Sequence, residues 1–238
     1  MITVMAGQFN WQRDQILGRL DYTRIGTKSY TRKDWLQDLL DWAEATDSFR
    51  QAIQPIVHAT LLDAGQSAIQ YVGQEASQFD PFTPAITEYF QNRSLKIAKD
   101  VNDETAKQLR ATLSQGVLSG EGSFELRARV ESVMGSASTM RADRIARTEV
   151  SRAQSYGDIQ AWTQSGVVEG KEWYTAHDEH TCSWCLSLDG KTWGLDENVF
   201  NKGDSLTIDG QTQHYNYDDI PSPCLHPNCR CVLLPIRS

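Results

Sequence analysis

All five cysteines of the chain fall in two short stretches near its C-terminal end. These are Cys182-Ser183-Trp184-Cys185 and, about forty residues later, Cys224-Leu225-His226-Pro227-Asn228-Cys229-Arg230-Cys231. A Cys-x-x-Cys turn sets two thiolates on one side of a tetrahedral zinc ion, and His226 and Cys229, also three apart, are able to supply the other two ligands. Cys231 competes for the fourth place, and Cys224 is the spare. A pair of disulfides or a set of reduced buried thiols would use the same residues, but five is an odd number, so disulfides alone leave one thiol over. A zinc ion held here is expected to be structural, because a catalytic site needs an open coordination position with an acid or base beside it.

With 238 residues the chain is long enough for two domains with real cores. Its net charge of −8 argues against wholesale nucleic-acid binding, which needs a surplus of Lys and Arg on at least one face. The first twenty residues lack the basic start and apolar core of a signal peptide, and no apolar run reaches the length of a bilayer span, so no membrane partner is expected. A soluble protein made in a reducing compartment follows, where cysteines serve more often as ligands than as disulfides.

Apolar periodicity predicts helices over most of the chain. Residues 1–30 read as an irregular or loosely helical leader. Trp35, Leu36, Leu39, Leu40 and Trp42 then share one face of a short helix over 31–42. A long helix follows from Asp47, with Ile53, Val57, Leu61, Ala64, Ala68 and Val72 at intervals of three and four, and Pro55 placed in its first turn. Asp80–Pro84 breaks the chain before a helix marked by Ile86, Phe90, Ile97 and Val101. Asn102-Asp103-Glu104-Thr105 reads as a cap or hinge, and Leu109, Leu113 and Val117 continue behind it. Ser119–Ser123 is a turn, Leu126, Val130 and Val133 mark a short helix, and a last long helix runs from Ser138 or Thr139 to about Gln164, where Gly166 ends it.

Beyond Gly166 the character changes. Val167-Val168, Glu172–Tyr174, Lys191–Trp193 and Leu206–Ile208 are short β-like pieces separated by Asp-Gly turns. The fold class expected is therefore α+β: an N-terminal helical region followed by a small mixed module, 167–238, with short strands and a Cys/His cluster. The module is too rich in loops to hold together by apolar burial alone.

Two further groups invite chemistry. His177-Asp178-Glu179-His180 beside the knuckle resembles hydrolase machinery but lacks the His-Glu-x-x-His spacing; the plainer account is that Asp178 orders the turn through side-chain to backbone bonds. Arg141, Arg144, Arg147 and Arg152, with Thr148 and Glu149, lie along one predicted helix. They form either a stripe for phosphates or a polar network tying that helix to the small module.

Taken together, Arg141–Glu149, Gly166, Trp173, Asp178, the knuckle, Leu188-Asp189-Gly190 and His226–Cys231 resemble the phage head morphogenesis domain of Mu F-type minor head proteins, over roughly residues 100 to 236. Pro223-Cys224 stands where the family more often shows Pro-Pro, and His180 where it shows Arg. The resemblance implies a structural, non-enzymatic minor capsid protein in the virion, assembled in the host cytoplasm. Residues 1–100 would dock on the portal or another head protein through Trp35, Leu39 and Trp42, and 101–238 would be the head morphogenesis domain. Arg144 and Arg147 offer a local contact for packaged DNA. The competing expectation is a zinc-dependent nuclease or toxin-like enzyme, against which stands the short stretch of seven residues after Cys231.

Overall fold

The computed structural model describes residues 1–20 and 39–237, apart from the side chains of 136–138. Trp35 and most of the helix expected over 31–42 lie outside the described residues. The chain divides into two compact units, each drawing on separated stretches: Met1–Ile56 with Glu88–Ala146, and Val57–Thr87 with Arg147–Ser238.

The first unit is helical. The expected loose leader is instead a regular helix, α1 (Ile2–Arg19), which buries Met5, Phe9, Gln12 and Ile16 along one stripe. Gln12 explains why apolar periodicity did not reveal it: the stripe is helical in spacing but has a polar residue in its middle. The next helix, α2 (Trp42–Tyr71), starts earlier than expected. Asp41 caps it, its Oδ1 accepting from the amides of Ala43 and Glu44 at 3.0 Å each. Pro55 therefore lies inside the helix rather than in its first turn. Its ring and the preceding-turn Gln51 are both exposed, so the carbonyl left without an amide faces water, while Phe49, Ile53, Val57 and Leu61 carry an unbroken buried stripe past it.

Pro84 opens α3 (Pro84–Leu118), the first-turn position where a missing amide costs nothing. This helix runs straight through Asn102–Thr105, so the expected cap or hinge is absent. The Asn102 side chain is occupied elsewhere: it accepts from Gln12 Nε2 at 2.9 Å and donates to Thr46 Oγ1 at 3.0 Å, linking α1, α3 and α2 by buried neutral amides. A turn with Gly120 at φ +70° leads to α4 (Ser123–Met134), which packs against α1. Arg129 secures that turn, gripping both carboxylate oxygens of Glu121 (2.5 and 2.6 Å) and the carbonyl and hydroxyl of Thr112. The core includes the edge-to-face pair Phe9–Phe49, with the Arg141 guanidinium 5.1 Å above the Phe9 ring.

The second unit takes the later turns of α2, α5 (Ser136–Ser165) from Arg147 onward, and the C-terminal module. Here α2 and α5 approach so closely that a Cβ on Gly157 would lie 2.7 Å from the Leu61 carbonyl oxygen. Gly166, at φ +66°, ends α5 as expected. An antiparallel sheet follows, in the order β2 (Thr192–Gly194), β1 (Val168–Tyr174), β5 (Val232–Arg237). The last strand is legible only in hindsight, since Pro235 interrupts its β signal; the sheet tolerates it because β5 is an edge strand. A separate hairpin, β3 (Ser205–Ile208) and β4 (Gln211–His214), turns on Asp209 and Gly210, both at positive φ. The Lys171 side chain is fully buried from β1, its Nζ donating to the carbonyls of Leu195 and Glu197 at 3.1 and 2.6 Å, and burial lowers its pKa to about 8.

Candidate metal centre

Two short segments of the second unit converge on one small cleft. The knuckle forms a one-turn helix, α6 (Ser183–Leu186), with Cys182 as its cap: the Cys182 sulfur accepts from the Cys185 amide at 3.4 Å. The loop before β5 brings in His226, Cys229 and Cys231. His226 Nε2 lies 3.1 Å from the Cys182 sulfur and 3.3 Å from that of Cys185, and the Cys185 and Cys229 sulfurs are 3.7 Å apart. The donor atoms fall into two triads that share Cys185: Cys182, Cys185, His226 and Cys185, Cys229, Cys231. All five cysteines are free thiols.

These residues fit zinc. A tetrahedral ion with Zn–S and Zn–N bonds of ordinary length sets its sulfurs about 3.8 Å apart, and sulfur and imidazole nitrogen about 3.6 Å apart. The observed separations lie within about half an ångström of those values. The His226 ring is also held in the right tautomer. Its Nδ1 is 2.8 Å from the Pro227 carbonyl, which can only accept, so Nδ1 carries the proton and Nε2 presents its lone pair to the sulfurs.

Without an ion the cluster is electrostatically uneven. Hydrogen bonds from Cys185, Cys224 and Cys231 hold the Cys229 thiol far below its usual value, whereas Cys185 is pushed up by its hydrogen bonds with Cys229 and Cys231 and by burial. Cys185 pulls Cys231 down, but its hydrogen bond to Cys229 and its burial outweigh that and take it up to about 12. The sulfurs thus share hydrogen bonds among themselves, and metal binding would release the protons that make them.

The surrounding residues fix the two halves of the cluster to each other. Asp178 orders the approach to the knuckle, its Oδ1 accepting from the His180 amide (3.1 Å) and the Thr181 hydroxyl (3.2 Å), while its Oδ2 pairs with Arg230. Arg230 was not singled out in the sequence, although it stands between two cysteines of the cluster, Cys229 and Cys231. His177 pairs with Asp189 at 3.2 Å, and Asp189 also accepts from the Thr175 amide at 2.8 Å. On α5, Glu149 is buried and pairs with Arg152 at 3.0 Å, and the Thr148 carbonyl faces the Cys224 thiol at 3.9 Å. Tyr217 donates to the Leu225 carbonyl at 3.0 Å. The Arg-Thr-Glu stretch thereby meets the cysteine loop.

The other candidates are not brought to the centre. Arg144 and Arg147 are exposed on α5. Trp42 is half-buried at the first position of α2, and Leu39, expected to bury into a partner, is only 3% exposed within the protein itself.

No helix among the described residues is long and apolar enough to cross a membrane. No curated protein and no solved structure matches the chain. Residues 107–234, however, match the family described as Phage Mu protein F like protein, a span that takes in α4, α5, β1 to β4, the start of β5 and every cysteine. The chain therefore belongs to the phage Mu protein F like family and is a phage head-related protein.

Proposed function

We propose that the chain is a minor head protein of a tailed phage that acts by binding rather than by catalysis. Its helical region, residues 1–100, docks on the portal or another head protein, and residues 101–238 form the head morphogenesis domain. The observation that carries this reading is the family match over 107–234. In the module 167–238 a structural zinc, held by Cys182, Cys185 and His226 with Cys229 or Cys231, supplies four-point cross-linking between the knuckle and the strand-bearing C-terminal segment.

Asp178 is engaged by Arg230 and the turn, and Asp189 by His177 and Thr175. DNA is a second partner in this reading, through the exposed Arg144 and Arg147 on α5.

Cross-linking in isolated heads tests the proposal. Peptides from the helical region are expected to join to portal protein, and a chain that neither cross-links to portal nor co-sediments with heads sinks it. For the DNA contact, binding is expected to weaken with salt and with Arg144→Ala and Arg147→Ala; a flat salt response removes DNA from the partners.

A further inference from the structure

The sulfurs of Cys185 and Cys229 touch across the cleft. They lie 3.7 Å apart, both as free thiols, and the two residues stand 44 positions apart in the chain, one in α6 and the other in the loop before β5. A disulfide brings its sulfurs to about 2.0 Å, so about 1.7 Å separates this contact from a bond. Arg230, next in sequence to Cys229, pairs with Asp178 ahead of the knuckle. That tie joins the same two segments and uses none of the sulfurs.

The two thiols differ in access. Cys229 is partly exposed at the cleft, whereas Cys185 is only 2% exposed. This is the arrangement of a redox pair, in which an accessible thiol meets the oxidant and a buried neighbour in contact with it resolves the product. Cys185 also belongs to both donor triads, so a bond from its sulfur to Cys229 takes a ligand from each.

We infer that Cys185 and Cys229 are a site of reversible oxidation, closed to a disulfide by a hydroperoxide when the cluster carries no metal. Oxygen passes first to the Cys229 sulfur: an S–O bond forms, the O–O bond breaks, and the thiol proton leaves in water. The Cys185 sulfur then attacks that of Cys229; the S–S bond forms, the S–O bond breaks, and a second water carries off the Cys185 proton. The two thiols are oxidised, and one hydrogen peroxide is reduced to two waters. The disulfide joins the segments that the ion would join, so the clasp has two exclusive forms, metal in reducing surroundings and disulfide in oxidising ones. The exclusivity rests on the metal reading proposed above; the pairing does not.

The test uses the full chain, metal-free or loaded with zinc, treated with hydrogen peroxide; remaining thiols are then alkylated and linked peptides identified by mass spectrometry. Cys185–Cys229 is expected to be the main link in the metal-free chain, above its share in the mixture that the same oxidation gives in denaturant. With zinc bound, the link should be lost over the same time. Cys231→Ser should keep it and Cys229→Ser should abolish it. A main link within the knuckle, Cys182–Cys185, a mixture no different from that in denaturant, or oxidised thiols without a link overturns the pairing, whatever the chain does with zinc. A link that forms as fast with zinc bound overturns the exclusivity. A chain that takes up no zinc but still forms the link sinks the metal reading and the exclusivity with it, and leaves the pairing supported.

Discussion

The two compact units bury different kinds of polar group. In the helical unit the buried polar side chains are neutral amides and hydroxyls, linked in a chain from Gln12 through Asn102 to Thr46, with Gln12 Oε1 and Ser94 Oγ left without a partner. In the cysteine-bearing unit they include titratable groups and unpaired donors: the thiols of Cys185, Cys224 and Cys231, the Lys171 ammonium, and the idle donors of Trp173 and Tyr215. Apolar burial closes the first. Beside the helical core of the second, the cysteines sit in a small cluster of eight buried residues that includes Trp173 and Tyr215 and two of the cysteines. Each unpaired buried donor costs about 1–3 kcal/mol. Under the zinc reading proposed above, a cross-link would close this module, and the thiols in its interior would carry the charge.

The contrast is broken most decisively by removing metal. Chelation, or Cys185→Ser at the residue common to both triads, should collapse hydrogen-exchange protection in β1, β2 and β5 while α1 and α4 keep theirs. The loss scales with a structural zinc's binding free energy, on the order of 10 kcal/mol. Sheet protection that survives chelation would show that apolar burial closes both units alike. The converse change is Phe49→Ala, which removes a fully buried ring from the helical unit. It should cost about 3–5 kcal/mol in denaturant unfolding of that unit and leave zinc affinity as it was; a coupled fall in zinc affinity would count against the separation.

The smallest effect is a pH dependence confined to the second unit. Burial raises the Asp158 carboxyl from 3.8 to about 7. Between those values the unfolded chain is ionised there and the folded one is protonated, so the folded state binds more protons. Stability from this group is complete below about pH 4 and is lost as pH rises through 7. Asp158→Asn should abolish that slope and raise stability at pH 8, by at most about 4 kcal/mol. A thermal-melt series over this range that is identical for wild type and variant would place Asp158 in water.

Sequence alone disclosed the parts of this arrangement that depend on local chemistry. The Cys-x-x-Cys knuckle, the Asp209-Gly210 turn and the stop at Gly166 each require particular residues at a fixed spacing, and such requirements are visible in a string of letters. What stayed hidden depended on distant partners. Asn102 reads as a cap until Gln12, ninety residues away, is seen to occupy its side chain. Pro55 reads as a helix start because solvent exposure of the opposed carbonyl cannot be read from the sequence. Gln12 itself disguised α1 by standing where an apolar residue was expected. At the candidate site the ligand types were plain, but the division into two triads, the tie between Asp178 and Arg230 and the unpaired donors of Trp173 and Tyr215 all come from tertiary packing.

The tie between Asp178 and Arg230 has a consequence for how such a chain tolerates change. Together with the knuckle it pins both ends of the stretch from Leu186 to Pro223, and the exposed β3–β4 hairpin lies within that stretch. Once the ends of a loop are fixed, doubling its length adds only about 0.6 kcal/mol of closure entropy. The exposed β3–β4 hairpin is therefore a place where insertions, deletions and new surface chemistry come at small cost, whereas Leu188, Tyr215 and Ile220 on either side of it are buried core.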